Sequence, residues 1–295
     1  MTALDGIDLE VDRGRSVGIV GESGCGKSTL AKALVGLVPI TSGNILFDGQ
    51  ELHERRERAM RRRIQMVFQD PSSSLNPART VGQTLDELLR VHGIVPADRI
   101  ARRSAEILEL VELPSTLLSA YPRNLSGGQR QRVGIARALV LEPDVLIADE
   151  AVSALDVSVQ ASVLNLLSDL QRRLDLTLLV ISHDLAVVRH ISERIVVMYL
   201  GRIVEDRPGE DLFEDPRHPY TSALIAAAPT LGARKRAGET ALAGEPPGLL
   251  EIPPGCRFHP RCPIAQEICR RDDPPLAGPQ PESRVACHFA WTHPH

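Results

Sequence analysis

The sequence predicts a layered α/β fold, and three observations carry that prediction. Short, mostly apolar runs recur along the chain at residues 17–20, 64–68, 145–148, 176–181 and 195–198. Runs without polar alternation suit strands of a largely parallel sheet, buried on both faces. Stretches with helical spacing alternate with them, and clusters rich in Gly, Pro, Asn and Asp separate the two kinds of segment. At 295 residues the chain has the length for one large or two small domains with a buried core.

Taken in order, residues 4–20 read as strand, turn (Asp12-Arg13-Gly14) and strand. Residues 30–38 read as a helix ended by Pro39. Ser42-Gly43-Asn44 turns into the strand 45–47, and Asp48-Gly49 marks the next turn. The charged residues 51–63 read as helix, followed by the strand 64–68. A loop rich in Pro, Ser and Asn (70–77) opens a helical stretch to about residue 120, and another helix runs from Gln129 to about Leu141. Pro143-Asp144 precedes the strand 145–148; residues 157–174 are helical and 176–181 are again strand. Residues 195–198 and 203–204 are short strands around the Gly201-Arg202 turn. From Pro229 the composition shifts to Pro, Gly and Ala, as in a linker, leading to a tail with four of the five cysteines. No internal repeat is present.

Bulk composition narrows the function classes. Hydrophobic residues make up 43% and the net charge is −4, which describes an ordinary globular chain. No run approaches the ~18 consecutive apolar residues of a membrane-spanning helix. Met1-Thr2-Ala3-Leu4-Asp5 has neither a basic nor an apolar signal region. A cytoplasmic protein is expected, linked to any membrane through partners. The arginine cluster from Arg55 to Arg63 is interleaved with Glu57, and aromatics are only 3%. These features indicate a solvated helix face and not a nucleic-acid surface.

Residues 21–29 read Gly21-Glu22-Ser23-Gly24-Cys25-Gly26-Lys27-Ser28-Thr29 and fit the phosphate-loop pattern G-x-x-x-x-G-K-[ST]. The apolar run before it supplies a strand, and glycines let backbone N–H groups face inward around phosphate oxygens. A helix starting near Lys27 adds its positive dipole end. Lys27 is expected to reach the β- and γ-phosphates of ATP, and the Ser28 hydroxyl to ligate Mg²⁺. Cys25 is expected to be a small tolerated residue, with a pKa lowered by the helix N-terminus.

Asp149-Glu150 ends the strand 145–148, at the carboxyl edge where such sheets place ligands. Asp149 can hold Mg²⁺, and Glu150 can polarise the attacking water as general base. His183 follows another strand and can hydrogen-bond the γ-phosphate or the water. Gln69 can supply a neutral oxygen to Mg²⁺ at the start of a loop. Leu125-Ser126-Gly127-Gly128-Gln129 opens a helix with bare N–H groups, a second anion-binding geometry. With one phosphate loop already in the chain, this second trap is expected to serve a nucleotide held by another subunit.

These motifs, in this order, resemble the ATP-binding cassette (ABC) ATPases over roughly residues 1–205. The match includes the Ser153-Ala154-Leu155-Asp156 turn. More narrowly, Val67-Phe68-Gln69-Asp70-Pro71, Ser74-Leu75-Asn76-Pro77, residues 153–157, His218-Pro219-Tyr220-Thr221 and residues 255–263 resemble the ATP-binding subunits of dipeptide/oligopeptide permeases. The resemblance implies a P-loop NTPase (RecA-like) nucleotide-binding domain at 1–205, with a helical subdomain at about 78–135, and a C-terminal extension at 206–295. It also implies a bacterial inner-membrane importer. This chain would pair with a second ABC ATPase as a heterodimer, work on two membrane permease subunits, and be served by an external substrate-binding protein. Two departures stand out: the family's early N-terminal strand and adenine-stacking aromatic have no counterpart, and Ala151 replaces the proline usual after the glutamate. Alternatives are import of chelated nickel or glutathione, or a soluble ABC ATPase unconnected with transport. A metal-binding module with a vestigial ATPase is disfavoured, because Lys27, Asp149, Glu150 and His183 are all retained.

Cys256, Cys262, Cys269 and Cys287 are spaced C-x5-C, C-x6-C and C-x17-C. In a reducing cytoplasm they would bind one metal centre in preference to forming disulfides. Their spacing matches neither common zinc pairs nor the ferredoxin run, so arithmetic does not choose the metal. Resemblance to the peptide-permease ATPases favours a structural [4Fe–4S] cluster, with zinc as runner-up.

Overall fold

The computed structural model describes residues 2–53, 56–70, 75–228, 247–248 and 251–291. The expected linker from Pro229, apart from residues 247–248, lies outside the described residues, as do Arg55 and the Pro71–Ser74 part of the loop after Gln69. The chain forms two compact units, one of Met1–Val11, Ser16–Leu30 and Ile181–His295, the other of Asp12–Arg15 and Ala31–Val180.

In the first unit, strand β1 (Ser16–Val20) runs parallel to β7 (Arg194–Tyr199), pairing Val17 with Arg194 and Val20 with Val197. β7 turns back at Leu200-Gly201 into the antiparallel β8 (Arg202–Pro208). Both turn residues have positive φ (44° and 81°), the geometry of a tight two-residue hairpin. β8 continues onto β10 (Ser283–Val285) and then β9 (Ala277–Gln280). The helix Leu185–Ile191 packs against β1. Gly18 permits the approach, since a Cβ there would lie 2.8 Å from Cβ of Val188.

In the second unit, β4 (Ile64–Val67) runs parallel to β5 (Val145–Asp149), with β6 (Thr177–Ser182) beside it; β6 carries the chain back into the first unit. Helices Val81–His92, Ile100–Leu110, Gly127–Leu139 and Val157–Leu174 occupy the rest. The first three pack on one another through fully buried Leu85, Leu89, Ile107, Leu108, Val133 and Ile135. Thr80 closes a capping box with Gln83, and Gly93 ends that helix in the left-handed region.

Several expectations are corrected. Residues 4–11 form no strand. Their backbone groups are met from the side: Asp5 N–H donates to the Gly201 carbonyl, while Arg194 and Arg284 donate to the carbonyls of Glu10 and Asp8. The helix expected over 51–63 is only Arg58–Arg63, because β3 (Gln50–Glu51) pairs with β2 (Leu46–Phe47) as a hairpin. The helix begins at Lys27, as the phosphate-loop pattern implied, but ends at Leu34 and not at residue 38, followed by Gly36 at φ 78°. β8 is far longer than residues 203–204. β9 and β10 carried no sequence signal, and Ala277–Gln280 is exposed throughout and contains Gly and Pro, the composition of an edge strand.

Candidate functional site

The phosphate-loop pattern leaves β1 through Gly21, Gly24 and Gly26, all at positive φ (155°, 81° and 107°). Space also demands glycine: a Cβ on Gly21 would fall 2.2 Å from the Met198 carbonyl oxygen, and one on Gly26 2.7 Å from that of Ala3. Lys27 is the first residue of its helix and is buried, with Nζ donating to the carbonyls of Gly21 (2.7 Å) and Glu22 (3.0 Å). The cation thus holds the loop around its own centre, at the head of the helix where its dipole is positive. Ser23 is exposed; Ser28 and Thr29 follow in the first helical turn, half-buried. Cys25 is the small residue expected, but its pKa shifts opposite to the expected direction. Burial raises its thiol pKa and outweighs the lowering by Lys27, so it is an inert small core residue.

His183 lies just past the end of β6, exposed, immediately before the N-cap Asp184 of the next helix.

In the second unit, Asp149 ends β5 and is buried, and Glu150 follows in the left-handed region at φ 47°. Such backbone in a bulky residue is strained and needs support. Ser153 supplies it, donating to the Glu150 carbonyl from both N–H (3.1 Å) and Oγ (3.0 Å). Gln69 Nε2 donates to Glu150 Oε2 at 2.7 Å, so the loop after β4 touches the carboxylate directly. The turn Ser153-Ala154-Leu155-Asp156 then feeds the helix from Val157, with Val157 itself 82% exposed.

Leu125 is buried, whereas Ser126 is exposed and caps the helix Gly127–Leu139 through a complete capping box with Gln129. Gly127 and Gly128 lie against the 153–156 turn and the helix it feeds. A Cβ on Gly127 would meet Leu155 at 3.5 Å, and one on Gly128 would meet Val159 at 2.6 Å. Residues 127–128 and the 153–156 turn with its helix are therefore packed as one piece.

The C-terminal cysteines converge without forming a ready metal shell. Among the described residues, no group of three or more His, Cys, Asp or Glu is placed to hold a metal ion. Burial raises the Cys256, Cys262 and Cys287 thiols, the latter two to about 11, and charge on neighbouring cysteines raises them further. Local hydrogen bonds hold them: Cys256 N–H donates to the Cys269 carbonyl, and Phe289 N–H to Cys287 Sγ. The expectation of a formed [4Fe–4S] or zinc site is not met among the described residues: the four cysteines are free thiols, Cys269 buried and Cys256, Cys262 and Cys287 half-buried. The donors are nonetheless four soft sulfurs within electrostatic range of one another, the chemistry an iron–sulfur centre takes.

Sequence reading missed a second group around the phosphate loop. Tyr220 Oη accepts the Glu22 N–H at 2.8 Å, and Arg261 meets the Glu22 carboxylate through both guanidinium nitrogens (2.7 and 3.0 Å). Their motifs, residues 218–221 and 255–263, had been singled out, but nothing local tied them to the loop.

Glycines that turn a loop around a lysine at the head of a helix, with an Asp-Glu pair at a strand end, define a P-loop ATPase on a layered α/β fold. The ABC transporter family matches residues 4–153, and the oligopeptide/dipeptide transporter C-terminal region matches residues 204–269. A probable peptide ABC transporter ATP-binding protein of Sinorhizobium fredii is 51% identical over 290 residues, covering 97% of this chain and 82% of that one. A putative peptide import ATP-binding protein of Brucella abortus is 49% identical over 293 residues, covering 98% and 87%. Among solved structures, cbiO1 of Clostridium perfringens, part of an ABC transporter complex, is 33% identical over 72% of this chain and 84% of that one, at a TM-score of 0.66. A dimeric ATP-binding cassette bound to ADP and Pi is 31% identical over 70% and 90%, at 0.63. The chain belongs to the ATP-binding subunits of the ABC transporters and is an ATPase. Among the described residues no helix is long and apolar enough to cross a membrane.

Proposed function

We propose that this chain is the ATP-hydrolysing subunit of a bacterial importer of di- and oligopeptides, seated peripherally on the cytoplasmic face of the inner membrane. The observation that carries the catalytic reading is Glu150, directly after Asp149 at a strand end, held in left-handed backbone and bonded to Gln69. The match of residues 204–269 to the oligopeptide/dipeptide region and the names of the relatives support the peptide substrate.

In this reading residues 21–29 bind the triphosphate, with Lys27 leaving its carbonyl partners for the β- and γ-phosphates. Ser28, Gln69 and Asp149 would hold Mg²⁺, which would supply positive charge against the triphosphate. Glu150 takes a proton from the attacking water, and His183 hydrogen-bonds the γ-phosphate or that water. The Gln69–Glu150 bond must loosen for this, which links the loop after β4 to catalysis. Ser126, Gly127, Gly128 and their neighbours Leu125 and Gln129 serve ATP bound by a second ABC ATPase subunit, and residues 153–156 line the same junction. Loop and helices then pass closure on to two membrane permease subunits supplied by an external binding protein. The ATPase body ends at about residue 205, with helical residues 78–135 inside it, and 206–295 is the permease-type extension.

Cys256, Cys262, Cys269 and Cys287 would hold a [4Fe–4S] centre that cross-links the tail, and no step of hydrolysis passes through it. Anaerobically purified protein should contain about four irons per chain and absorb broadly near ~400 nm. Cys262→Ser should lose both features while retaining ATP binding. Stoichiometric zinc would replace the metal assignment, and four freely alkylated thiols would remove it. For the transport reading, peptide-stimulated hydrolysis in the assembled transporter is the test; stimulation by chelated nickel or glutathione alone would reassign the substrate.

A further inference from the structure

The C-terminal extension grips the phosphate loop at one residue. Glu22 is held on three sides. Its carbonyl accepts from Lys27, its N–H donates to Tyr220 Oη at 2.8 Å, and its carboxylate takes both arms of Arg261. Tyr220 and Arg261 lie 198 and 239 residues further along the chain.

Neither partner is a loose surface contact. Tyr220 is fully buried, and the Arg261 side chain is only 5% exposed. The Tyr220 ring packs on Tyr199 (4.7 Å between centroids) and Phe258 (5.4 Å), and Arg261 lies over Tyr199 and Phe258. Tyr220 is in turn indexed to the sheet. Its N–H donates to His218 Nδ1, and the amides of Arg217 and His218 donate to the buried Glu205 carboxylate on β8. A rigid chain of contacts therefore runs from β8 through the helix Pro219–Ala227 to the loop.

The charge at this point has a consequence for ligand binding. A carboxylate in a loop that receives a triphosphate opposes the ligand unless it is neutralised. Arg261 neutralises it bidentately, in a half-buried setting where screening by water and salt is reduced. The Tyr220 hydroxyl fixes the same peptide, so the loop is held ready before nucleotide arrives.

We propose that Tyr220 and Arg261 are positioning residues for ATP, through which the C-terminal extension sets the nucleotide affinity of the phosphate loop. The proposal rests on residues 21–29 being the ATP loop. It is tested with the full-length chain by competition of ATP against a fluorescent ATP analogue, with a melting curve for each variant. Arg261→Ala should weaken ATP binding about tenfold, as for removal of one partner of a partly desolvated charge pair. In a Glu22→Gln background the same change should cost less than about threefold, because the uncompensated carboxylate is gone. Arg261→Lys should fall between, and Tyr220→Phe should weaken binding about threefold to fivefold through loss of one hydrogen bond. In the assembled transporter these variants should raise KM for ATP with little change in kcat. Wild-type affinity in Arg261→Ala, or an equal loss with and without Glu22→Gln, would overturn the proposal. Should Arg261→Ala lose its melting transition, wild-type affinity in both Arg261→Lys and Tyr220→Phe overturns it instead. Lys27→Ala is the control: unchanged binding there would defeat the reading of the loop itself.

Discussion

Two glycine-bearing helix starts in this chain look alike in sequence and are built differently. At residues 21–27 three glycines take positive φ, the loop is packed against backbone, and a buried lysine is held by its carbonyls. At residues 126–129 Gly127 and Gly128 are already helical, and the exposed Ser126 caps the helix through its box with Gln129. The first is a closed loop whose lysine is turned inward onto the carbonyls of Gly21 and Glu22. The second is a finished helix terminus whose hydroxyl faces solvent. A cradle suits a ligand bound by its own chain; an exposed, capped terminus suits one presented by another. Glycine serves backbone conformation in the first and close packing against Leu155 and Val159 in the second.

The largest expected effect separates chemistry from binding. Glu150→Gln should leave ATP binding in the cradle nearly intact while lowering turnover of the assembled transporter by ~10²-fold or more, as for loss of a general base. It should also trap the closed ATPase pair. Near-normal hydrolysis would show that Glu150 is not the base. Lys27→Ala comes next: removing the cation that holds the cradle should weaken ATP binding by more than about tenfold. Equilibrium binding with the full chain measures it.

A smaller change probes the packing role of Gly127 and Gly128. Gly128→Ala places a Cβ 2.6 Å from Val159 Cγ1, so that side chain must shift. A loss of about 1–3 kcal/mol in denaturant unfolding is expected, with ATP binding by the cradle unaffected. The smallest effect concerns Cys25. Its pKa is raised in the fold, so its thiolate fraction at neutral pH lies below that of an ordinary thiol. Alkylation of native protein should be slow and should accelerate only at pH above the usual thiol range. Fast labelling at pH 7 by mass spectrometry would contradict the burial.

Much of this was legible because it is local. The five expected apolar runs are strands, and Lys27, Asp149 and Glu150 stand at the ends of elements where spacing put them. What was not legible depends on partners distant in sequence. Residues 4–11 had strand-like composition, but side chains and a turn met their backbone instead of a neighbouring strand. Glu22 sat at a free position of the loop motif, and no local pattern could pair it with Tyr220 and Arg261. The lowered pKa expected for Cys25 at a helix start failed because burial outweighed the lowering by Lys27. The cysteine spacing was visible, but spacing does not fix where sulfurs point.

The central claim is that the two glycine-bearing sites belong to different nucleotides. The most direct test is Ser126→Arg in the assembled transporter, reading ATP occupancy on each ATPase subunit by photolabelling alongside total hydrolysis. Labelling of this chain at its own loop should persist, while the partner ATPase loses labelling or turnover and hydrolysis falls by about tenfold or more. Loss of labelling on this chain, with the partner unaffected, would contradict the account.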